Sequence, residues 1–402
     1  CMKIGIIREG KTPPDKRVPF TPQQFKSIVE EYPEVELYIE KSPIRAFEDS
    51  EYESLGLNMV EDLSHVDVIF GVKEVNIEDL IPNKTHFFFS HTIKEQPYNR
   101  DLLQAVIDKN VQLVDYEVLT EPNGRRLVGF GRYAGIVGTY NAFIAYGVRT
   151  GKYTLKPAHQ CEDRKEMESE LPKINLPSDY KIALTGLGRV AGGAIEVLQK
   201  MGVRQVDSTS FVTEQYNEPV FTQLSVEDYF KKKGGGTFER NEAYANAKEF
   251  DSDFMKYARV ANMYIPCHFW DAEGPHIFSK EELASPEFKI DVIADISCDI
   301  AGPIPSTIRP STVAMPVYEV TRRTLEEASL SSKDSITVMA VDNLPCELPK
   351  DASEDFGGEL MNNILPALLN EDPTAIIDRA TITKHGDLNS HFEYLRGYLE
   401  GK

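Results

Sequence analysis

Cysteine is scarce in this chain: five residues in 402 (Cys1, Cys161, Cys267, Cys298 and Cys346), scattered and odd in number. Without CxxC spacing they suggest neither a disulfide framework nor a zinc site. The eight histidines show no HxH or HExxH spacing, so no metal is expected. A reducing compartment follows, and the chain is expected to be cytoplasmic. Long apolar runs are also lacking. The weakly polar stretch GIVGTYNAFIAYGV, from Gly135 to Val148, falls short of the roughly 20 residues that span a bilayer. The start, CMKIGIIREG, has no n-region leading into a long apolar segment, and Met2 reads as an initiator behind an extra Cys1. Basic residues are outnumbered, 44 against 64 acidic, leaving a net charge of −20. That argues against nucleic acid or an anionic membrane as partner, because both need a basic field. An anionic ligand would need basic residues gathered locally.

What is present is an ordinary globular composition, 41% hydrophobic and 27% charged, at a length that suits two domains. KIGIIRE reads as a strand, followed by a helix in TPQQFKSIVEEY with Thr21 as N-cap, Pro22 at its first position and Gln24 completing a capping box. VELYIE, VDVIFGVK, THFFFSH and VQLVDYE read as further strands, with helical spacing of Leu102, Leu103, Val106 and Ile107 between the last two. This alternation predicts an α/β fold with a parallel sheet over residues 1 to about 130. HQCEDRKEMESELPKINLPSD reads as a connector, and YFKKKGGGTFERNEAYANAKEFDSD as a mobile or irregular insertion. The sheet resumes at ARVANMYIP and IDVIADISCDI. ASEDFGGELMNNILPALL and LNSHFEYLRGYLEG read as closing helices.

YKIALTGLGRVAGGAIEVLQKMGVRQVDSTSF has the strand, glycine turn, helix and strand of a dinucleotide-binding unit. Gly186 permits the turn, Gly188 lets backbone approach a pyrophosphate, and Ala191 with Gly192 keeps helix close to sheet. The phosphates would sit on the amides of the helix starting near Arg189 and Val190. Asp207 falls where a ribose-binding carboxylate belongs, which favours NAD over NADP, although Arg204 leaves NADP open. The other reading of Asp207 is a solvated strand end.

GVKE and FFSHTIKEQ are two strand ends closing in titratable residues, Lys73 with Glu74, and His91 with Lys94 and Glu95. In parallel sheets, ligands collect at such ends. In isolation, His91 is an edge histidine and Lys73 with Glu74 a surface ion pair. Together in one sheet, with a dinucleotide unit downstream, they read as an acid–base pair.

REGKTPPDKRVPFTP, GVKEV, FFSHTIKEQ, LVDYEVLTEPNGRRLVGFGRYAG, DISCDIAGPI and MAVDNLPCELPKDASEDFGGEL occur in the order seen in the saccharopine dehydrogenase (L-lysine-forming) and lysine–ketoglutarate reductase family, distant relatives of alanine dehydrogenase. The chain resembles that family from about residue 3 to 370, most weakly in 150–178 and 208–258. The resemblance implies two Rossmann-like domains with mostly parallel sheets and an active-site cleft between them. Residues 1–134 and 322–402 would form the substrate and catalytic domain, and 135–321 the dinucleotide domain. It also implies NAD(P)-dependent hydride transfer that interconverts saccharopine with L-lysine and 2-oxoglutarate through an imine. Lys73 would take the amine proton, and His91 would serve imine hydrolysis. Glu74 and Glu117 would lie close by, Arg17 would bind a substrate carboxylate with Arg132 as a second candidate, and Asp342 would stand beside the cofactor. Asp295 and Asp299 would fall on the nicotinamide side or cap a turn, and Arg125 and Arg126 lie in an expected hairpin turn. Two other readings are an alanine dehydrogenase-like deaminase of a simple amino acid and a non-catalytic dinucleotide sensor. A homo-oligomer is compatible with the sequence, but nothing in it argues for one.

Overall fold

Strands that run apolar without alternation have both faces to bury, and both sheets of this chain satisfy that demand with helices on either side. The computed structural model describes residues 1–297, 302–329 and 334–402. It divides into two compact units, Cys1–Phe130 with Pro349–Lys402, and Gly131–Leu348.

Unit 1 opens with β1 (Lys3–Ile6), β2 (Glu36–Glu40), β3 (Asn58–Val60), β4 (Val68–Phe70), β5 (Thr85–Phe88) and β6 (Gln112–Asp115). They lie in the order β6-β5-β4-β1-β2-β3, all parallel. The helix Pro22–Glu31 starts as the sequence implies, with the Thr21 and Gln24 side chains each accepting from the other's backbone N–H. Of the triple phenylalanine, Phe87 and Phe88 end a strand buried on both faces, and Phe89 lies just past it, half-buried. Phe87 stacks on Phe70 with ring centroids 4.5 Å apart, while Phe88 enters the opposite cluster with Ile69, Leu103 and Leu113.

Unit 2 is built on β7 (Lys181–Thr185), β8 (Arg204–Gln205), β9 (Val220–Leu224), a hairpin of β10 (Phe230–Lys232) and β11 (Phe250–Ser252), then β12 (Met263–Pro266), β13 (Val292–Ala294), β14 (Val317–Thr321), β15 (Glu327–Ala328) and β16 (Ser335–Met339). Among the described residues the main sheet runs β15-β14-β16-β13-β12-β7-β9-β8, antiparallel only at β14 and β15. The chain returns to unit 1 at Pro349, later than position 322, because the fully buried β16 pairs in parallel with β13 inside unit 2. The segment expected to be irregular is instead the β10–β11 hairpin with the short helix Arg240–Ala245. Phe230, Ala243 and Phe250 anchor it in the apolar cluster of Tyr229, Phe254 and Tyr257. The connector folds into the short helices Ala158–Gln160, Arg164–Ser169 and Leu171–Lys173.

The closing residues carry the helix Pro349–Glu359, a wider turn Leu360–Ile364 and the helix Leu365–Leu369. Then β17 (Thr381–Lys384) adds antiparallel to β6, and β18 (Asp387–Leu388) adds to β17. The final segment is the turn Ser390–Leu395 and the helix Arg396–Leu399.

Within unit 2 the helices Gly131–Thr150 and Arg189–Lys200 pack backbone to backbone. A Cβ at Gly135 would sit 1.9 Å from the Val190 carbonyl oxygen, and one at Gly193 would sit 1.9 Å from that of Arg132. At Gly192 it would meet nothing within 4 Å. The close-approach residue is therefore Gly193 rather than Gly192, and what it approaches is a helix rather than the sheet. Ala191 is fully buried as expected. Gly193→Ala should lower the urea midpoint by an amount equivalent to about 1–3 kcal/mol or more. Gly192→Ala should hold stability or raise it by up to about 1 kcal/mol. Equal midpoints for the two variants would remove this contact as a constraint.

Candidate active site

The exits of parallel strands leave backbone amides without ladder partners, and unit 1 fills them with carboxylates from neighbouring strands. Glu9, past the end of β1, accepts from the backbone N–H of Val72 (3.1 Å) and of Lys73 (2.8 Å), past the end of β4. Tyr116 donates its hydroxyl to the Gly71 carbonyl at 2.7 Å. On the other side Asp115, the last residue of β6 and fully buried, accepts from Ser90 N–H (3.0 Å), Ser90 O–H (2.5 Å) and Glu117 N–H (2.8 Å). Lys73 and Glu117 are thus held through their own amides, and His91 through that of its neighbour.

His91 takes the left-handed backbone conformation, φ 57°, which costs a non-glycine residue roughly 1–2 kcal/mol. Its Nδ1 lies 2.6 Å from Glu74 Oε1, and its side chain is one-third exposed. Burial pushes the Glu74 carboxyl above its ordinary value, but the hydrogen bond and charge of His91 override it and hold the carboxyl below that value. The Lys94 ammonium stands 3.7 Å from Glu117 Oε1, while Glu117 Oε2 is buried with no hydrogen-bond partner. The Lys73 ammonium meets no carboxylate within ion-pair distance among the described residues.

Arg17 is buried and grips Asp15 with two bonds, Nε to Oδ1 at 3.0 Å and Nη2 to Oδ2 at 2.7 Å. Its guanidinium carbon lies 4.3 Å over the Phe130 ring. Burial would push Asp15 up, yet the charge and bonds of Arg17, with the charge of Lys73, bring it down to about 2. Glu9 goes the other way. Burial, helped by the Asp15 charge, pushes it up to about 7 against the two backbone bonds and Arg17. Two carboxyls pulled apart beside a lysine are a common physical signature of acid–base sites.

In unit 2 the glycine turn fits a dinucleotide. Gly186 has φ 118°, and a Cβ there would sit 2.3 Å from the Cys267 carbonyl oxygen. Gly188 caps the helix Arg189–Lys200 with open space around it. The turn borders a cavity of about 230 Å³ lined also by Ser225, Val226, Cys267 and His268. Val190 packs its backbone against the Gly135 helix.

Asp207 does not take the place expected of it. It is exposed and caps the helix Ser208–Thr213, accepting from Ser210 N–H and O–H, each at 2.8 Å. The spacing argument assumes that the next strand in sequence lies beside β7, but β8 is at the edge and β9 sits between them. Arg132 forms two bonds with Glu196 (2.8 and 2.7 Å), so its fork is engaged inside unit 2. Asp342 is exposed, three residues beyond β16. Asp295 is buried and accepts from Ser297 and Thr307, which is the turn-capping alternative; Asp299 lies outside the described residues. Arg125 and Arg126 flank an exposed turn, Arg125 facing Glu121 at 3.8 Å. Among the described residues no group of three or more His, Cys, Asp or Glu could hold a metal ion, and no helix is long and apolar enough to cross a membrane. Glu9, Ser90 and Asp115 were not singled out in the sequence; the only signal was a carboxylate at or just past a strand end.

Residues 5–137 match the family described as alanine dehydrogenase/PNT, N-terminal domain. Over 99% of its length the chain is 27% identical to the mitochondrial alpha-aminoadipic semialdehyde synthase of Mus musculus and covers 48% of it. The Arabidopsis thaliana synthase is 26% identical over 98% of this chain and 41% of that protein. The chain thus spans about half the length, or less, of these relatives. It is 26% identical to the saccharopine dehydrogenase (NAD(+), L-lysine-forming) of Schizosaccharomyces pombe over 93% of this chain and 95% of that one. A solved L-alanine dehydrogenase has the same fold, with a TM-score of 0.65 at 15% identity, covering 99% and 100% of the two chains.

Glu9 predicts a pH dependence of stability. Below its free value of 4.5 the carboxyl is protonated folded or unfolded; between 4.5 and about 7 the unfolded chain releases a proton that the fold keeps, so stability falls as pH rises. Urea unfolding should show wild type losing ground to Glu9→Gln between pH 5 and pH 8. A pH-independent gap would refute the burial account. Asp15 has the opposite sign, its contribution present above about pH 4 and lost towards pH 2.

Proposed function

We propose that this chain, a homologue of the L-lysine-forming saccharopine dehydrogenases and of the alpha-aminoadipic semialdehyde synthases, interconverts saccharopine with L-lysine and 2-oxoglutarate. The observation that carries this reading is the pairing of Lys73 with the His91–Glu74 couple at adjacent strand exits of one sheet, each exit held by a buried or partly buried carboxylate. Unit 1 supplies the acid–base groups and unit 2 the dinucleotide site.

A bound nicotinamide dinucleotide supplies the hydride acceptor or donor. NAD is the proposed form, as the name of the Schizosaccharomyces pombe relative states for that protein. Gly186, Gly188 and the backbone at Arg189 and Val190 would hold its pyrophosphate, with Asp342 beside it. Lys73, which meets no carboxylate within ion-pair distance among the described residues, would act as the neutral amine, taking the proton from the secondary amine as the α-hydride leaves. The resulting imine needs water and proton traffic. Glu74 at Nδ1 keeps that nitrogen as the donor, so the Nε2 of His91 gives and takes protons during hydrolysis. Arg17 has its plane fixed by Asp15 and Phe130 and is the proposed anchor for a substrate carboxylate. Arg132 would first have to leave Glu196. The unpartnered Oε2 of Glu117 would accept from a substrate ammonium and, with Glu74, set the basicity of the pair.

Absorbance of the reduced cofactor, followed with L-lysine plus 2-oxoglutarate, and of the oxidised cofactor with saccharopine, each in NAD and NADP form, tests the reaction. No turnover in all four mixtures sinks it. Turnover of L-alanine alone would favour deamination, which Lys73 and His91 would equally serve. Lys73→Met and His91→Gln should each cut kcat by about 10²–10⁴. Dinucleotide affinity should stay within about threefold. A matching loss of affinity would make both residues structural.

A further inference from the structure

We infer that His268, which lines the pocket beside the glycine turn, contacts the dinucleotide and donates from Nε2 to an acceptor on the adenosine half. The inference rests on the dinucleotide reading of unit 2 and assigns to the site a residue that the glycine motif does not contain.

His268 follows β12 by two residues, is 8% exposed and lines the 230 Å³ cavity together with Gly186, Gly188, Ser225 and Tyr229. Its Nε2 is buried with no hydrogen-bond partner. Its Nδ1 lies 2.8 Å from the hydroxyl of Thr185, the residue before Gly186, and that hydroxyl lies 2.8 Å from the hydroxyl of Tyr264. Thr185 and Tyr264 are fully buried, so the three groups must share their protons among themselves. If Nδ1 donated, the Thr185 proton would turn to Tyr264 and leave the phenol O–H with no acceptor, a cost of about 1–3 kcal/mol. The arrangement that uses every proton runs from Tyr264 to Thr185 to Nδ1. It puts the histidine's own proton on Nε2, the buried nitrogen that has no hydrogen-bond partner among the described residues.

Three features choose the adenosine half. The cavity spans the ends of β7, β9 and β12, and β9 is the strand beside β7 on the side where the second strand of a dinucleotide unit meets the adenosine ribose. Val226 and Tyr229 give it apolar and aromatic walls, the Tyr229 ring centroid 5.3 Å from that of His268. Burial also lowers the imidazole to about 4, so at neutral pH it is an uncharged donor, suited to a ribose hydroxyl or a ring nitrogen.

Titration calorimetry of the full chain with ADP-ribose, a fragment that lacks nicotinamide, tests this. His268→Leu should weaken ADP-ribose binding about tenfold, the value of one good hydrogen bond. The wild-type protein gives a second reading that needs no variant. With ¹⁵N-labelled histidine, one imidazole should show a protonated Nε2 at pH 7 in the free protein and shift on saturation with ADP-ribose. If wild type binds ADP-ribose and His268→Leu binds it equally, or no Nε2 resonance moves, the role of His268 is wrong and the dinucleotide site stands. If wild type binds neither ADP-ribose nor NADH, the dinucleotide reading itself fails, and this inference with it.

Discussion

A carboxylate just past β1, bonded to two backbone amides beyond β4, is the contact on which the rest of unit 1's chemistry depends. Glu9 closes the gap that the sheet leaves when its ladder ends, and in doing so fixes the amide of Lys73. Asp115 repeats the device two strands away, tying β6 to the exit of β5 and so to the turn in which His91 adopts its left-handed backbone. Both carboxyls are pushed upward by burial, the direct cost of placing them beneath the strand ends. The hydrogen bonds they accept offset that cost. Remove them and the amides of residues 72, 73 and 90 would be left without partners near the site that has to be rigid.

The same logic explains how a chain of net charge −20 could present the proposed site for dicarboxylates. Local cations decide the matter, not the total. Arg17 holds Asp15 as an anion and Lys94 faces Glu117, while Lys73 has no ion-pair partner among the described residues. Distant surface acids are screened within about 10 Å at ordinary ionic strength. Groups packed against one another in the interior are not, and that is where the Asp15 and Glu9 carboxyls are driven in opposite directions.

What was legible in the sequence was whatever a few consecutive residues decide. The capping box of Thr21 and Gln24, the buried strand end at Phe87 and Phe88, with Phe89 half-buried beyond it, and the turn at Gly186 are set by local backbone geometry, and each is present. Features set across space were not. Gly192 and Gly193 are adjacent small residues, and only the rotation of their helix against Gly131–Thr150 decides which one meets a carbonyl. Asp207 has the right separation from Gly186 for a ribose contact, but separation along the chain does not determine strand order, and β9 intervenes. The charged insertion looked irregular because its apolar residues are few; four or five aromatics were enough to seat it on the core.

Glu9, Asp15 and Arg17 form one electrostatic group at the exits of β1 and β4. Glu9 sits close enough to feel Asp15 and Arg17, and Lys73 close enough to act on Asp15. An anionic ligand brought to Arg17 would add negative charge to this group, which would press Glu9 further towards its protonated form. Glu9 can absorb that pressure at neutral pH because its value already lies near 7, where taking up a proton costs little. An ordinary carboxylate near 4 could not. Burial of Glu9 therefore does more than anchor a strand exit: it places, within reach of the Asp15 and Arg17 charges, a carboxyl whose own charge can follow the arrival of an anion.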